Sequence, residues 1–103
     1  MITKLNSLNF DAEVMTGEKT VLVDFWADWC GPCRMLAPVI EEIDIKSGDK
    51  YKICKVNVDE APDLAARFGI MSIPTLLIFK GGEITGTLIG VQPEEKIIAE
   101  LEK

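Results

Sequence analysis

Apolar residues recur along this chain with two different periods. Thr20 to Ala27 reads Thr-Val-Leu-Val-Asp-Phe-Trp-Ala, β-branched and aromatic and apolar on both faces, which predicts a buried central strand. Tyr51 to Val58 predicts a second strand, and Thr75 to Phe79 and Glu83 to Ile89 two more. Lys80-Gly81-Gly82 between the last two supplies the glycines of a hairpin turn. Helical spacing appears at Met35, Leu36, Val39, Ile40 and Ile43, within a segment from Pro32 to about Lys46. Pro32 suits a first helical turn, whereas Pro38 falls in the interior and is expected to kink the helix. Asn9 is the expected cap of a short helix through about Met15, ending near Gly17. Pro62 to Phe68 predicts another short helix, stopped by Gly69, and Pro93 opens a last one through about Leu101.

With a short N-terminal strand, the elements alternate as in an α/β protein. Strand–helix–strand units imply parallel pairing and the hairpin adds antiparallel strands, so a central mixed β-sheet flanked by helices on both faces is expected. No repeat, linker or low-complexity run interrupts the 103 residues, so residues 1–103 are read as a single domain. Hydrophobic residues make up 48% of the chain, enough for a core without staples. The net charge of −6 argues against nucleic acid as a partner, because phosphate contacts need clustered Lys and Arg. No apolar run is long enough to span a membrane, and no membrane association is expected. The start, Met1-Ile2-Thr3-Lys4, lacks a basic segment followed by an apolar stretch, so no export signal is expected.

Three cysteines and no histidine narrow the chemistry. An odd count excludes a fully paired disulfide framework, and a structural zinc site almost always has four ligands. Trp29-Cys30-Gly31-Pro32-Cys33-Arg34 stands where a buried strand gives way to a helix. The first N–H groups of a helix lack partners and carry the positive end of its dipole, so a thiolate there is stabilised. Cys30, at the turn, is expected to be the more exposed thiol, and Cys33, one turn in, the more buried. Such a pair can close a disulfide with little backbone movement. Cys30 would attack a client disulfide and Cys33 would release the mixed disulfide. Gly31 and Pro32 would stiffen the loop between them. The other reading is a pair of structural cysteines, or half of a zinc knuckle.

Asp24 lies inside the apolar run. Burial would raise its pKa and make it a general base for Cys33. Its plainer reading is an aspartate that caps a turn or reaches solvent. Lys55 on the adjacent strand is either its charge partner or a lysine that snorkels to water. Cys54 is expected to be buried and inert, its rival being an exposed regulatory or dimer-forming thiol.

These features together resemble the thioredoxin family. Val23-Asp24-Phe25-Trp26-Ala27, Trp29-Cys30-Gly31-Pro32-Cys33, Pro38, Ile73-Pro74-Thr75, Phe79-Lys80-Gly81-Gly82 and Gly90 carry the likeness from about Thr20 to Leu101. The resemblance implies a thioredoxin fold and a general protein-disulfide reductase. It implies Cys30 as nucleophile, Cys33 as resolving thiol, Asp24 and Lys55 as the proton-handling pair, and Pro74 as a cis-proline beside the dithiol. Trp29, Val58, Ser72, Ile73, Pro74, Gly90 and Val91 would line a shallow docking surface, with the Ile73 backbone free to pair with an extended client. The implied partners are disulfide-containing client proteins and a separate thioredoxin reductase, and no cofactor is implied beyond the Cys30–Cys33 disulfide itself. A cytoplasmic monomer is expected. Arg34 stands where lysine is frequent in the family, and Ser72 where glycine is. A disulfide oxidant or isomerase, a glutaredoxin, and a binding subunit that uses the docking surface without turnover are the competing readings.

Overall fold

A computed structural model describes all 103 residues. The elements are β1 (Ile2–Leu5), α1 (Phe10–Val14), β2 (Thr20–Trp26), α2 (Gly31–Ser47), β3 (Tyr51–Asn57), α3 (Pro62–Arg67), β4 (Thr75–Lys80), β5 (Glu83–Ile89) and α4 (Glu94–Leu101). The strands form one sheet in the order β1-β3-β2-β4-β5. β1, β3 and β2 run parallel, and β4 and β5 are antiparallel to their neighbours. The sheet is thus mixed, as expected, with β2 at its centre.

Alternation along β2 divides the core. Val21, Val23 and Phe25 face α1 and α3, packing with Phe10, Val14, Leu64 and Phe79. Leu22 faces α2 and α4, packing with Leu36, Ile40, Ile43, Ile97 and Leu101. The first face is dominated by aromatics: Phe68 contacts Phe10, Phe25 and Phe79, with ring centroids 5.2, 6.2 and 5.6 Å away. Gly81 and Gly82 adopt φ of 58° and 80°, the left-handed pair that a two-residue hairpin requires.

Two local expectations change. Asn9 does stand at the N-cap of α1, but its side chain makes no cap. Its Oδ1 instead accepts from the Asn6 N–H, while Asn6 Oδ1 accepts from Leu8 and Asn9. The two asparagines close the preceding turn on each other. Pro38 falls in the interior of α2, as the spacing places it. β2 and β3 each end one residue earlier than expected, at Trp26 and Asn57. Both strand ends release their loops on the same edge, which sets the place of the site. No helix is long and apolar enough to cross a membrane.

Candidate active site

β2 delivers its chain directly to the start of α2. Cys30 is the N-cap residue and Gly31 and Pro32 form the first turn. Pro32 lacks the N–H that would have been left unpaired there. A disulfide joins Cys30 and Cys33, whose Cα atoms are 5.2 Å apart. The Cys33 N–H points at Cys30 Sγ, 3.1 Å away. Cys30 Sγ also lies 3.8 Å from the Ile73 carbonyl oxygen. A sulfur in a disulfide has no proton to give, so this second contact becomes a hydrogen bond only in the reduced thiol.

The expected difference in exposure is absent: Cys30 and Cys33 are each 4% exposed. Ile73 and Val58 fold over the pair with Trp26 and Ala27, forming a small apolar cluster that meets the aromatic core through those same two residues. The asymmetry between the thiols lies in hydrogen bonding. Cys30 Sγ is the sulfur that receives a helix N-terminal N–H, the group that stabilises a thiolate.

Asp24 sits on the α2-facing side of β2 and is 1% exposed. Its Oδ1 has no hydrogen-bond partner. Burial pushes its pKa up to about 6, against the opposing pull of Lys55. Lys55 is its direct neighbour in the β2–β3 register. The lysine makes none of the ion pairs of the protein. Its ammonium lies 5.1 Å from the centroid of the Trp26 ring. Lys55 and Trp26 both line a polar cavity of about 240 Å³ that also receives Lys4, Asp28, Asn57 and Glu60. Cys54 points to the opposite face, fully buried, and burial raises its thiol to about 12.

A groove of about 370 Å³ runs beside the disulfide, lined by Trp29, Val58, Ser72 and Ile73 together with Ala65, Ile70 and Met71. Trp29 is 67% exposed. The Ile73–Pro74 bond is cis. Pro74 and Gly90 stand behind the groove wall, joined by a 2.9 Å hydrogen bond from the Gly90 N–H to the Pro74 carbonyl. Val91 is exposed and lies outside the lining. Ala65 escapes the pattern reading as one small residue within α3, and Ile70 and Met71 because they follow the helix and belong to no periodic face. The one available signal was an apolar pair, Ile70-Met71, stranded between Gly69 and Ser72. Asp59, which accepts a 2.8 Å hydrogen bond from the Trp29 indole, carried no sequence signal.

The chemistry available at this end of the sheet is a two-electron exchange between the Cys30–Cys33 pair and another disulfide, which defines a protein-disulfide oxidoreductase built on an α/β sheet. The thioredoxin family model matches residues 1–103, and the chain belongs to the thioredoxin family. It is 55% identical over 97 residues to the thioredoxin of Alicyclobacillus acidocaldarius subsp. acidocaldarius, covering 94% of this chain and 91% of that one. It is 52% identical over 96 residues to thioredoxin of Bacillus subtilis (strain 168), covering 93% and 90%. Against thioredoxin of Synechocystis sp. the figures are 47% over 100 residues, 97% and 94%. Thioredoxins reduce protein disulfides through their own cysteines and without a bound cofactor, and disulfide-containing proteins and a reductase are the partners that membership implies.

Proposed function

We propose that residues 1–103 form one domain that works as a cytoplasmic monomer, reducing client disulfides in a fixed order and recharged by a thioredoxin reductase. Cys30 thiolate attacks one client sulfur. The client S–S bond breaks, a mixed disulfide forms, and the first client thiolate leaves and takes a proton from water. Cys33 then loses its proton to the Asp24 carboxylate and attacks Cys30 Sγ. The mixed disulfide breaks, the second client thiolate leaves, and the Cys30–Cys33 bond closes. Two electrons have passed from the pair to the client.

The observation that carries this order is the Cys33 N–H aimed at Cys30 Sγ from the first turn of α2. It favours negative charge on Cys30 and supports its role as the attacking sulfur. A carboxyl titrating at about 6 is mostly ionised at neutral pH yet basic enough to accept a thiol proton. Lys55 keeps that value from rising further. The groove of Trp29, Val58, Ser72 and Ile73 suits an apolar client segment, with the cis Ile73–Pro74 unit presenting its backbone alongside and Pro74, Gly90 and Val91 framing it. An acidic chain with a single C-x-x-C supports the reducing compartment.

Insulin-disulfide reduction with limiting dithiothreitol tests the activity. Acceleration over dithiothreitol alone is expected, and its absence would refute the reading. A Cys33→Ser variant is expected to accumulate mixed disulfides through Cys30; no trapping there, with mixed disulfides forming instead through Cys33 in a Cys30→Ser variant, would reverse the order of attack.

A further inference from the structure

Two side-chain hydrogen bonds cross between the loops that meet above the sheet, one from Trp29 and one from Asn57. Asn57 is the last residue of β3 and pairs in register with Trp26, the last of β2. It is a buried polar residue. Its Oδ1 accepts the N–H groups of Asp59 at 2.9 Å and Glu60 at 3.3 Å, closing the β3–α3 turn. Two donors on one oxygen fix the amide's orientation, so Nδ2 faces the other loop. There it donates to Asp28 Oδ2 at 3.4 Å. Asp28 and Asp59 flank Trp29 from either side: Asp28 precedes it in the chain, and Asp59 accepts its indole N–H at 2.8 Å. The Asp28 carbonyl is in turn held by Arg34 Nη1 from α2 at 2.7 Å. The Trp29 indole bond to Asp59 crosses between the same two loops, so Asn57 supplies the second of two links and the one that also closes the β3–α3 turn.

We propose that Asn57 is a positioning residue for client docking, setting where Trp29 stands over the disulfide by fixing Asp28 and Asp59 together. Asn57 itself touches neither sulfur and lines no part of the groove. Its effect passes through Trp29, so the inference rests on the groove being the docking surface. An amide suits this place because it offers an acceptor to the turn and a donor to a carboxylate. An aspartate would keep the acceptor, lose the donor and set one carboxylate against another. The turn would survive, the bond from Asn57 to Asp28 would not, and Trp29 would keep only its own bond to Asp59 to hold its place.

Single-turnover oxidation of the pre-reduced protein by excess insulin reads both quantities, a half-saturating concentration and a maximal rate. Asn57→Asp is expected to raise the half-saturating concentration about tenfold, the size of losing one charge-assisted hydrogen bond, with a much smaller change in maximal rate. Asp28→Ala, at an exposed position that does not threaten folding, is expected to act in the same direction. The double change Asp28→Asn with Asn57→Asp returns one amide and one carboxylate in exchanged places and is expected to recover to within about twofold. The Trp29 indole N–H resonance is expected to shift in both single variants and return in the double. Single variants within twofold of the unaltered protein, or a double variant no better than the worse single, would overturn the proposal. Trp29→Ala measured alongside separates the two layers. If it leaves half-saturation unchanged, the docking surface itself is refuted; if it weakens docking while Asn57→Asp does not, Asn57 alone is.

Discussion

Replacing Asp24 by Asn isolates the energetic weight of the buried carboxyl. The group is 1% exposed and its pKa rises from 3.8 to about 6, chiefly through loss of water and in spite of Lys55. A raised carboxyl pKa means that the folded protein binds this proton more tightly than the unfolded chain does. Stability therefore falls as pH climbs from 3.8 to 6, and above that window the ionised carboxylate burdens the fold in full. At roughly 1.4 kcal/mol per unit, the burden is about 3 kcal/mol. Asn carries its own cost, since its amide enters a site where Oδ1 has no partner, but that cost does not vary with pH. The quantity to measure is thus a difference of differences: unfolding free energy of Asp24→Asn minus that of the unaltered protein, at pH 8 and again below pH 4, on the oxidised protein. It is expected to be about 3 kcal/mol more favourable to the variant at the higher pH. With a guanidinium chloride m-value of roughly 3 kcal/mol per molar, the relative midpoint moves by about 1 M. All other titrating groups cancel in the subtraction. A difference that stays flat from pH 4 to 8 would refute the account of Asp24 as a desolvated, ionisable carboxyl.

Lys55→Met removes the charge that opposes burial, so the Asp24 titration should move upward in pH, read by the carboxyl 13C shift; an unmoved or lower midpoint would show that Lys55 does not act on Asp24. In the reduced native protein a thiol reagent is expected to modify Cys30, whose thiolate the first turn of α2 stabilises, and to reach Cys54 only on unfolding, because Cys54 is buried and its thiol is raised to about 12. Comparable labelling of all cysteines without denaturant would contradict that. Phe79→Ala opens a cavity against Phe10 and Phe68 and is expected to cost about 3–5 kcal/mol by equilibrium unfolding; a loss under 1 kcal/mol would mean that the aromatic face collapses to fill the space.

Much of the frame was readable from the chain because its cues were local and strong. β2 announces itself through β-branched and aromatic residues on both faces, and Gly81-Gly82 specifies its own turn. Asp24 stood out for the same reason, as a carboxyl where every neighbour is apolar. What escaped reading depends on segments that meet only after folding. Asn9 looked like a cap until Asn6 competed for its side chain. Cys30 looked exposed until Ile73, 43 residues further along, folded over it. Ile70 and Met71 acquire meaning from Trp29 across the groove, and Asn57 from Asp28, contacts that no periodicity encodes.

The small cluster around Ala27, Cys30 and Cys33 has a consequence for how the protein tolerates its own work. Each turnover makes and breaks a covalent bond inside the molecule, and a bond set within either main core would force close-packed side chains to readjust every time. Here the pair belongs to neither large cluster, and it touches Trp26, Val58 and Ile73, of which Val58 and Ile73 also pack against the aromatic face of the core. The reaction thus reaches the aromatic core through two part-buried side chains at the end of the sheet rather than through fully packed ones. The same arrangement ties client choice to Val58 and Ile73, since a change at either alters the groove and the packing of the core at once.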